Sequence, residues 1–288
     1  MSEDRKKIVS VQELSVGIRA EEGERGFRFR IDYGSFDVFP GDFVLIKGRN
    51  GCGKSTLLRF FRLQSARYFG VLGGGILFYG QGFPEKSIHL CTAEELTKLS
   101  CMVSYIGQDD EFLTADSAYS YIYHVCKLAL ENGGAFSRAE RKRKLAEVDA
   151  AIRAYYEKYL AEGFRCKSYR TFKYKRARAW SGGQQKMICV LAGIIKAKVC
   201  GLRLIVLDEP LNNLDGKNKY ILNELLGELR RAGTAILAVT HCQVFDGVNK
   251  VLYISEGEGG DQRAALYERA DPAHSECLEP FRTAGERE

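Results

Sequence analysis

Hydrophobic and polar positions follow two different periods along this chain of 288 residues. Short apolar runs with β-branched centres, "DFVLIKG" (42–48), "LRLIVL" (202–207) and "TAILAVT" (234–240), have the continuous hydrophobicity of strands buried on both faces. Other segments repeat apolar residues at helical spacing. They are "STLLRFFRL" (55–63), "MICVLAGIIKA" (187–197) and the stretch 137–163, where Leu145, Val148, Ile152 and Tyr155 recur along one face. The first strand therefore feeds a glycine-rich turn that opens a helix, and the second ends on two acids. A further apolar run, "MVSYI" (102–106), leads into Gly107 and Gln108. No apolar run approaches the roughly 20 residues that a membrane-spanning helix requires.

The turn "GRNGCGKST" (48–56) fits the phosphate-binding pattern G-x-x-x-x-G-K-[ST], with Gly48, Gly53, Lys54 and Ser55 in the defining places. Glycines at 48, 51 and 53 open backbone conformations closed to other residues and bring N–H groups close to an anion. The helix N-terminus adds partial positive charge at the same point. In this pattern Lys54 reaches the β- and γ-phosphates and the Ser55 hydroxyl serves Mg²⁺, with Asn50, Gly51, Cys52 and Thr56 completing the loop. Asp208 and Glu209 follow an apolar strand, at the edge where open α/β sheets bind ligands. One acid can serve the metal, and the next can take a proton from an attacking water. A second helix start, "WSGGQQK" (180–186), presents Ser181, Gly182 and Gly183 as another set of anion donors. A single nucleotide does not need both.

Composition changes this picture little. With 45% hydrophobic and 28% charged residues the usage is that of a globular protein, and the start "MSEDRKKIVSVQEL" has no apolar stretch of signal-peptide length. A cytosolic location is expected. Nine cysteines without a C-x-x-C pair, and four histidines, argue against a disulfide framework and a zinc site. His89, His124 and His274 fit no constellation. The formal charge of +6 is modest for a nucleic-acid binder. Its densest basic stretch, "RCKSYRTFKYKRAR" (165–178), is interleaved with aromatics and reads first as a solvated face, with anionic lipid or a phosphate backbone as other readings.

Taken in order, these elements resemble the nucleotide-binding domain of an ATP-binding cassette (ABC) protein. The resemblance covers roughly residues 8–257 and assigns the Walker A loop to 48–56, the Q-loop glutamine to Gln108 and the signature to Ser181, Gly182, Gly183 and Gln184. It also assigns the Walker B acids to Asp208 and Glu209, the D-loop to Asp215 and the H-loop to His241. It implies that ATP with Mg²⁺ is bound between two cassettes paired head to tail, the P-loop of one facing the signature of the other. Glu209 would be the general base, Asp208 and Ser55 would serve the metal, Gln108 would sense metal or water, and His241 would touch the γ-phosphate. Trp180 stands where leucine is usual, and the signature helix lacks the family's common Gln-Arg pair and later arginine. The adenine-stacking aromatic has no clear counterpart, with Phe27 and Phe29 as weak candidates.

The resemblance implies an α/β P-loop NTPase fold with a mostly parallel sheet, an antiparallel β subdomain and an inserted α-helical subdomain. A single cassette is expected over 8–257, with a core of 8–108 and 181–257, a helical insert at about 109–180, and a tail over 258–288. The favoured function is the ATP-hydrolysing subunit of a membrane transporter, working with a separate transmembrane permease and a second cassette, either another copy or a different chain. It would sit peripherally on the cytoplasmic face of the membrane, without nucleic acid. The alternative is a soluble cassette ATPase acting on a ribosome, nucleic acid or protein assembly, for example of the Fe–S assembly type.

Overall fold

The computed structural model describes residues 7–19, 26–62, 69–80, 86–100, 103–107, 117–132, 136–161, 166, 168–176, 179–212, 214–240, 245–257 and 260–268. Gln108 and His241, both expected at the site, lie outside the described residues.

Among the described residues, nine strands form one sheet: β1 (Val9–Ile18), β2 (Phe29–Val38), β3 (Phe43–Gly48), β4 (Phe69–Phe78), β5 (Val103–Ile106), β6 (Leu204–Asp208), β7 (Ala235–Val239), β8 (Lys250–Glu256) and β9 (Gln262–Glu268). Their order is β4-β1-β2-β9-β8-β3-β7-β6-β5. Strands β5, β6, β7, β3 and β8 run parallel, as the continuous burial of their apolar runs demands. Strand β1 pairs antiparallel with both β2 and β4, forming a wing on the other side. The wing and the parallel core meet through β9, which is antiparallel to β8 and touches β2 in parallel at Ile31↔Gln262 and Asp32↔Arg263.

Strand β9 departs from the sequence reading, which assigned 258–288 to a tail. Its side chains are only partly buried or exposed, so it carries no apolar run that marks a strand by itself. Backbone pairing to β8 supplies what the side chains do not signal.

Helix α1 (Lys54–Arg62) follows β3 directly and buries Leu57, Leu58, Phe60 and Phe61 beneath the sheet. Helix α2 (Ala93–Ser100) precedes β5. Between β5 and the Ser181 region stand α3 (Ala118–Asn132), α4 (Arg138–Tyr155) and the short α5 (Tyr169–Tyr174). Of the stripe expected from its spacing, helix α4 buries Val148, Ile152 and Tyr155 and leaves Leu145 partly buried, and it runs on into a π-helical turn at Tyr156–Leu160. Helix α6 (Gly182–Cys200) is apolar nearly all round because it is enclosed between β5, β6 and helices α3, α4 and α7 (Gly216–Arg231). It stops at Gly201, whose φ of 67° is the left-handed C-cap conformation that glycine adopts without strain. No helix among the described residues is long and apolar enough to cross a membrane.

Candidate nucleotide site

The parallel core brings two sequence-distant motifs to one edge. Ile46 and Asp208 both register with Val239, so the ends of β3 and β6 flank the end of β7. Two strand spacings of about 4.8 Å each then separate the start of the phosphate loop from the carboxylate pair. A cleft of about 380 Å³ opens there, lined by Asn50, Gly51, Gly53, Lys54, Ser55 and Thr56 together with Asp208 and Glu209.

The loop can take this shape only with glycine at its hinges. Gly48 has φ 146°, and a Cβ on it would stand 2.5 Å from the Ile254 carbonyl oxygen and 2.6 Å from Cys52 Sγ. The Tyr33 hydroxyl donates to the Gly53 carbonyl at 2.7 Å and pins the loop to β2. Lys54 is buried, and its ammonium donates to the carbonyls of Gly48 (2.8 Å) and Arg49 (2.9 Å), so its charge is held inside the loop. Ser55 is exposed on the first turn of α1, at the same helix start. Cys52 is buried, and burial pushes its thiol pKa up against the opposing pull of Lys54, in keeping with a packed spacer.

Asp208 is half-buried and its Oδ2 accepts from the Tyr105 hydroxyl at 3.2 Å. Its Oδ1 is buried and has no hydrogen-bond partner among the described residues. Burial pushes this carboxyl pKa up, opposed by the Tyr105 hydrogen bond and by the charges of Lys186, Arg59 and Arg62. A buried carboxylate oxygen left without a donor fits a cation ligand, because a metal would restore the charged form that burial disfavours. Asp208 and the Ser55 hydroxyl are therefore the residues that would hold Mg²⁺.

Glu209 is buried and has φ 47°, one of two non-glycine residues with positive φ among those described. Such a conformation costs of order 1–3 kcal/mol and persists where surrounding structure enforces it. Here the Glu209 N–H donates to the Val239 carbonyl at 2.9 Å and ties the turn to β7. Nothing in the sequence signals this backbone.

Of the two aromatic candidates, Phe29 lines the cleft together with Ile18. Phe27 instead lies on Gly17, where a Cβ would stand 2.3 Å from its ring, with the Arg19 guanidinium 5.5 Å from the ring centroid. An adjoining cavity of about 620 Å³ shares Phe29, Asn50 and Gly51 and extends toward Arg28 and Tyr253.

Ser181, Gly182, Gly183, Gln184 and Asp215 do not line the P-loop cleft. Ser181 caps α6 in a reciprocal capping box: its hydroxyl accepts from the Gln184 N–H (3.4 Å), and Gln184 Oε1 accepts from the Ser181 N–H (3.0 Å). Ser181 and Gly182 are exposed at this helix start. Asp215 is exposed and caps α7, accepting from the Asn218 N–H at 2.8 Å. Trp180 is buried in the helical region, 6.0 Å from Phe172 between ring centroids, with the Lys175 ammonium 3.8 Å from the centre of its ring. An apolar residue in the place of leucine thus keeps a packing role. Sequence reasoning missed Tyr105 and Lys186. Their only signals were a tyrosine close to Gln108 and a charge at the head of an apolar helix.

A family model described as ABC transporter matches residues 31–212. The chain is 31% identical over 252 residues to the aliphatic sulfonates import ATP-binding protein SsuB 2 of Pseudomonas aeruginosa, covering 85% of this chain and 72% of that one. It is 28% identical over 208 residues to the sn-glycerol-3-phosphate import ATP-binding protein UgpC 1 of Rhizobium johnstonii, covering 72% of this chain and 46% of that one. The chain also spans less than half the length of other curated relatives it matches, between 30% and 37% of them. In fold it resembles the dimeric, post-hydrolysis ATP-binding cassette MJ0796 bound to ADP and Pi, with a TM-score of 0.58 at 20% identity and coverage of 91% and 98%. The matched span contains the phosphate loop, the Ser181 helix start and both carboxylates, and it takes in more than half of the chain, which therefore belongs to the ABC transporter family.

Proposed function

We propose that this protein binds Mg-ATP in the P-loop cleft, hydrolyses it, and energises a membrane transporter through pairing of two cassettes. The observation that carries the proposal is the division of the anion-binding elements. Lys54, Ser55, Asp208 and Glu209 share one cleft, while the exposed helix starts at Ser181 and Asp215 lie outside it. A second cassette in head-to-tail pairing brings those helix starts to the nucleotide.

Ser55 and Asp208 would hold Mg²⁺, which when bound would supply positive charge to offset that of the phosphates. The P-loop N–H groups and Lys54 orient the triphosphate, and Phe29 offers an apolar surface for the base. The water oxygen attacks the γ-phosphorus as the bond to the ADP oxygen breaks, and the water proton passes to the Glu209 carboxylate. Ser181 and Gly183 of the second cassette contact the γ-phosphate, so the pair is held together before cleavage and loosened after it. The family resemblance would make Gln108 a metal or water sensor and His241 a γ-phosphate contact, both outside the described residues. A transmembrane permease docks beside the helical insert and places the protein on the cytoplasmic face of the membrane.

The test uses Glu209→Gln. Loss of a general base lowers turnover by about 100- to 10,000-fold. The variant should retain Mg-ATP and form an ATP-dependent pair in the presence of its membrane partner. A monomer at saturating Mg-ATP would overturn the shared-site mechanism. Trapping the variant with ATP and identifying what co-purifies tests the transporter role. A polytopic membrane protein supports it, and ribosomes, nucleic acid or assembly factors would replace it.

A further inference from the structure

Helix α6 is anchored to strand β5 at three levels. At the far end from Ser181, the Lys196 ammonium donates to the carbonyls of Val103 (3.0 Å) and Ser100 (3.2 Å). In the middle, the Ser104 hydroxyl donates to the Gly193 carbonyl at 2.9 Å, and a Cβ on Gly193 would stand 2.6 Å from Ile106 Cδ1. At the near end, the buried Lys186 ammonium donates to the Gly107 carbonyl at 2.5 Å.

The three anchors differ in what they stand beside. Ile106 registers with Leu207, so Gly107 is level with Asp208 on the neighbouring strand. Gly107 is also the residue before Gln108. Lys186 is one helical turn and a fraction beyond Ser181, the residue that caps the same helix. A buried ammonium is costly unless its partners repay the desolvation, so its retention here, where Lys196 already anchors the helix near the surface, calls for a local reason.

We infer that Lys186 is a positioning residue for hydrolysis. It ties the first turns of the Ser181 helix to the Gly107 carbonyl at the end of β5, level with Asp208 on the neighbouring strand. The helix start that would face a partner's nucleotide and the carboxylates of its own chain then share one anchor. This inference rests on the assignment of Asp208 and Glu209 to the hydrolytic site.

The experiment measures steady-state ATP hydrolysis and equilibrium nucleotide binding for Lys186→Met, Lys186→Gln and Lys186→Arg, with Lys196→Met and Glu209→Gln in parallel. Loss of an outer-shell partner costs about 10- to 100-fold in activity. The two neutral Lys186 variants should lose kcat on that scale with KM for Mg-ATP changed by less than about threefold, and Lys186→Arg should recover part of the loss. Lys196→Met should lower the unfolding midpoint while keeping kcat. The Gln and Arg variants carry the test if Lys186→Met fails to fold. Wild-type kcat in the neutral variants, or a loss no larger than that of Lys196→Met at equal loss of stability, overturns the inference while Glu209→Gln remains inactive. Turnover retained by Glu209→Gln overturns the site assignment and the inference with it.

Discussion

At Gly53 the backbone has φ 104°, and a Cβ would stand 2.2 Å from Ile31 Cδ1 and 3.0 Å from the Tyr33 hydroxyl that pins the loop. Gly53→Ala therefore sets backbone strain and a clash against β2 in the phosphate loop. It should destabilise the protein by about 1–3 kcal/mol and weaken nucleotide binding, as measured by urea unfolding and nucleotide titration. Cys126 offers a second residue-level test. Burial pushes its thiol up to about 12 from an ordinary value of 9.0, with Cys200 adding to the effect. Between those limits the unfolded chain ionises Cys126 and the native chain does not. Stability then falls as pH rises, by up to about 1.4 kcal/mol per pH unit from this group, and is unaffected by it below pH 9. Cys126→Ala should flatten that slope. Native Cys126, fully buried on α3, should also resist alkylation at pH 8 while the partly exposed Cys91 reacts. None of this is visible in sequence, where Cys126 and Cys91 are equivalent letters.

At the level of elements, the start of β3 is fastened by a buried ion pair. Lys250 at the start of β8 donates to Asp42 Oδ2 at 2.8 Å, both side chains being largely buried. Asp42 also accepts from the Phe39 N–H (2.9 Å) and the Asn249 amide (3.0 Å), and Asn249 Oδ1 accepts from the Phe43 N–H (2.7 Å). Lys250→Met leaves the Asp42 charge buried without its ammonium and should cost about 3–5 kcal/mol in chemical unfolding. The element pattern itself was legible: β3, β6 and β7 are runs too apolar for anything but a doubly covered strand, and α4 shows its stripe. Strand β9 was not, because half-exposed side chains leave only backbone pairing to define it.

Across the whole molecule, the helical region is clasped to the core. Lys158 and Tyr159 in the π-helical turn both reach Glu224 (3.1 Å each) and Glu228 (3.4 and 3.3 Å) on α7, the helix that Asp215 caps. Exposed pairs of this kind contribute little to stability, so the clasp matters more for where α7 sits than for how firmly the chain folds. The shared-site proposal makes a sharper prediction at this scale. Lys54→Ala disables a chain's own P-loop, and Ser181→Arg disables what it offers to its partner. Each variant alone should be inactive. Mixed in equal amounts in the assembled transporter, they should recover up to about a quarter of wild-type turnover, because half of the random pairs contain one intact site of two. No recovery on mixing would rule out sites shared between two copies of this chain.

The sequence by itself determined the phosphate loop, the carboxylate pair and the second helix start, since each is a local pattern whose chemistry follows from residue type and spacing. It also determined the alternation of buried strand and helix that makes an α/β sheet. The tertiary structure alone decided which of these meet. Pairing of β3, β7 and β6 sets Asp208 and Glu209 against Lys54 and Ser55, and keeps Ser181 and Asp215 out of that cleft. It chose Phe29 over Phe27 for the cleft wall, put Glu209 in a strained backbone conformation and buried Lys186 against the Gly107 carbonyl at the end of β5. Strand order, register and burial arise from contacts between segments far apart in the chain, and no window of local sequence contains them.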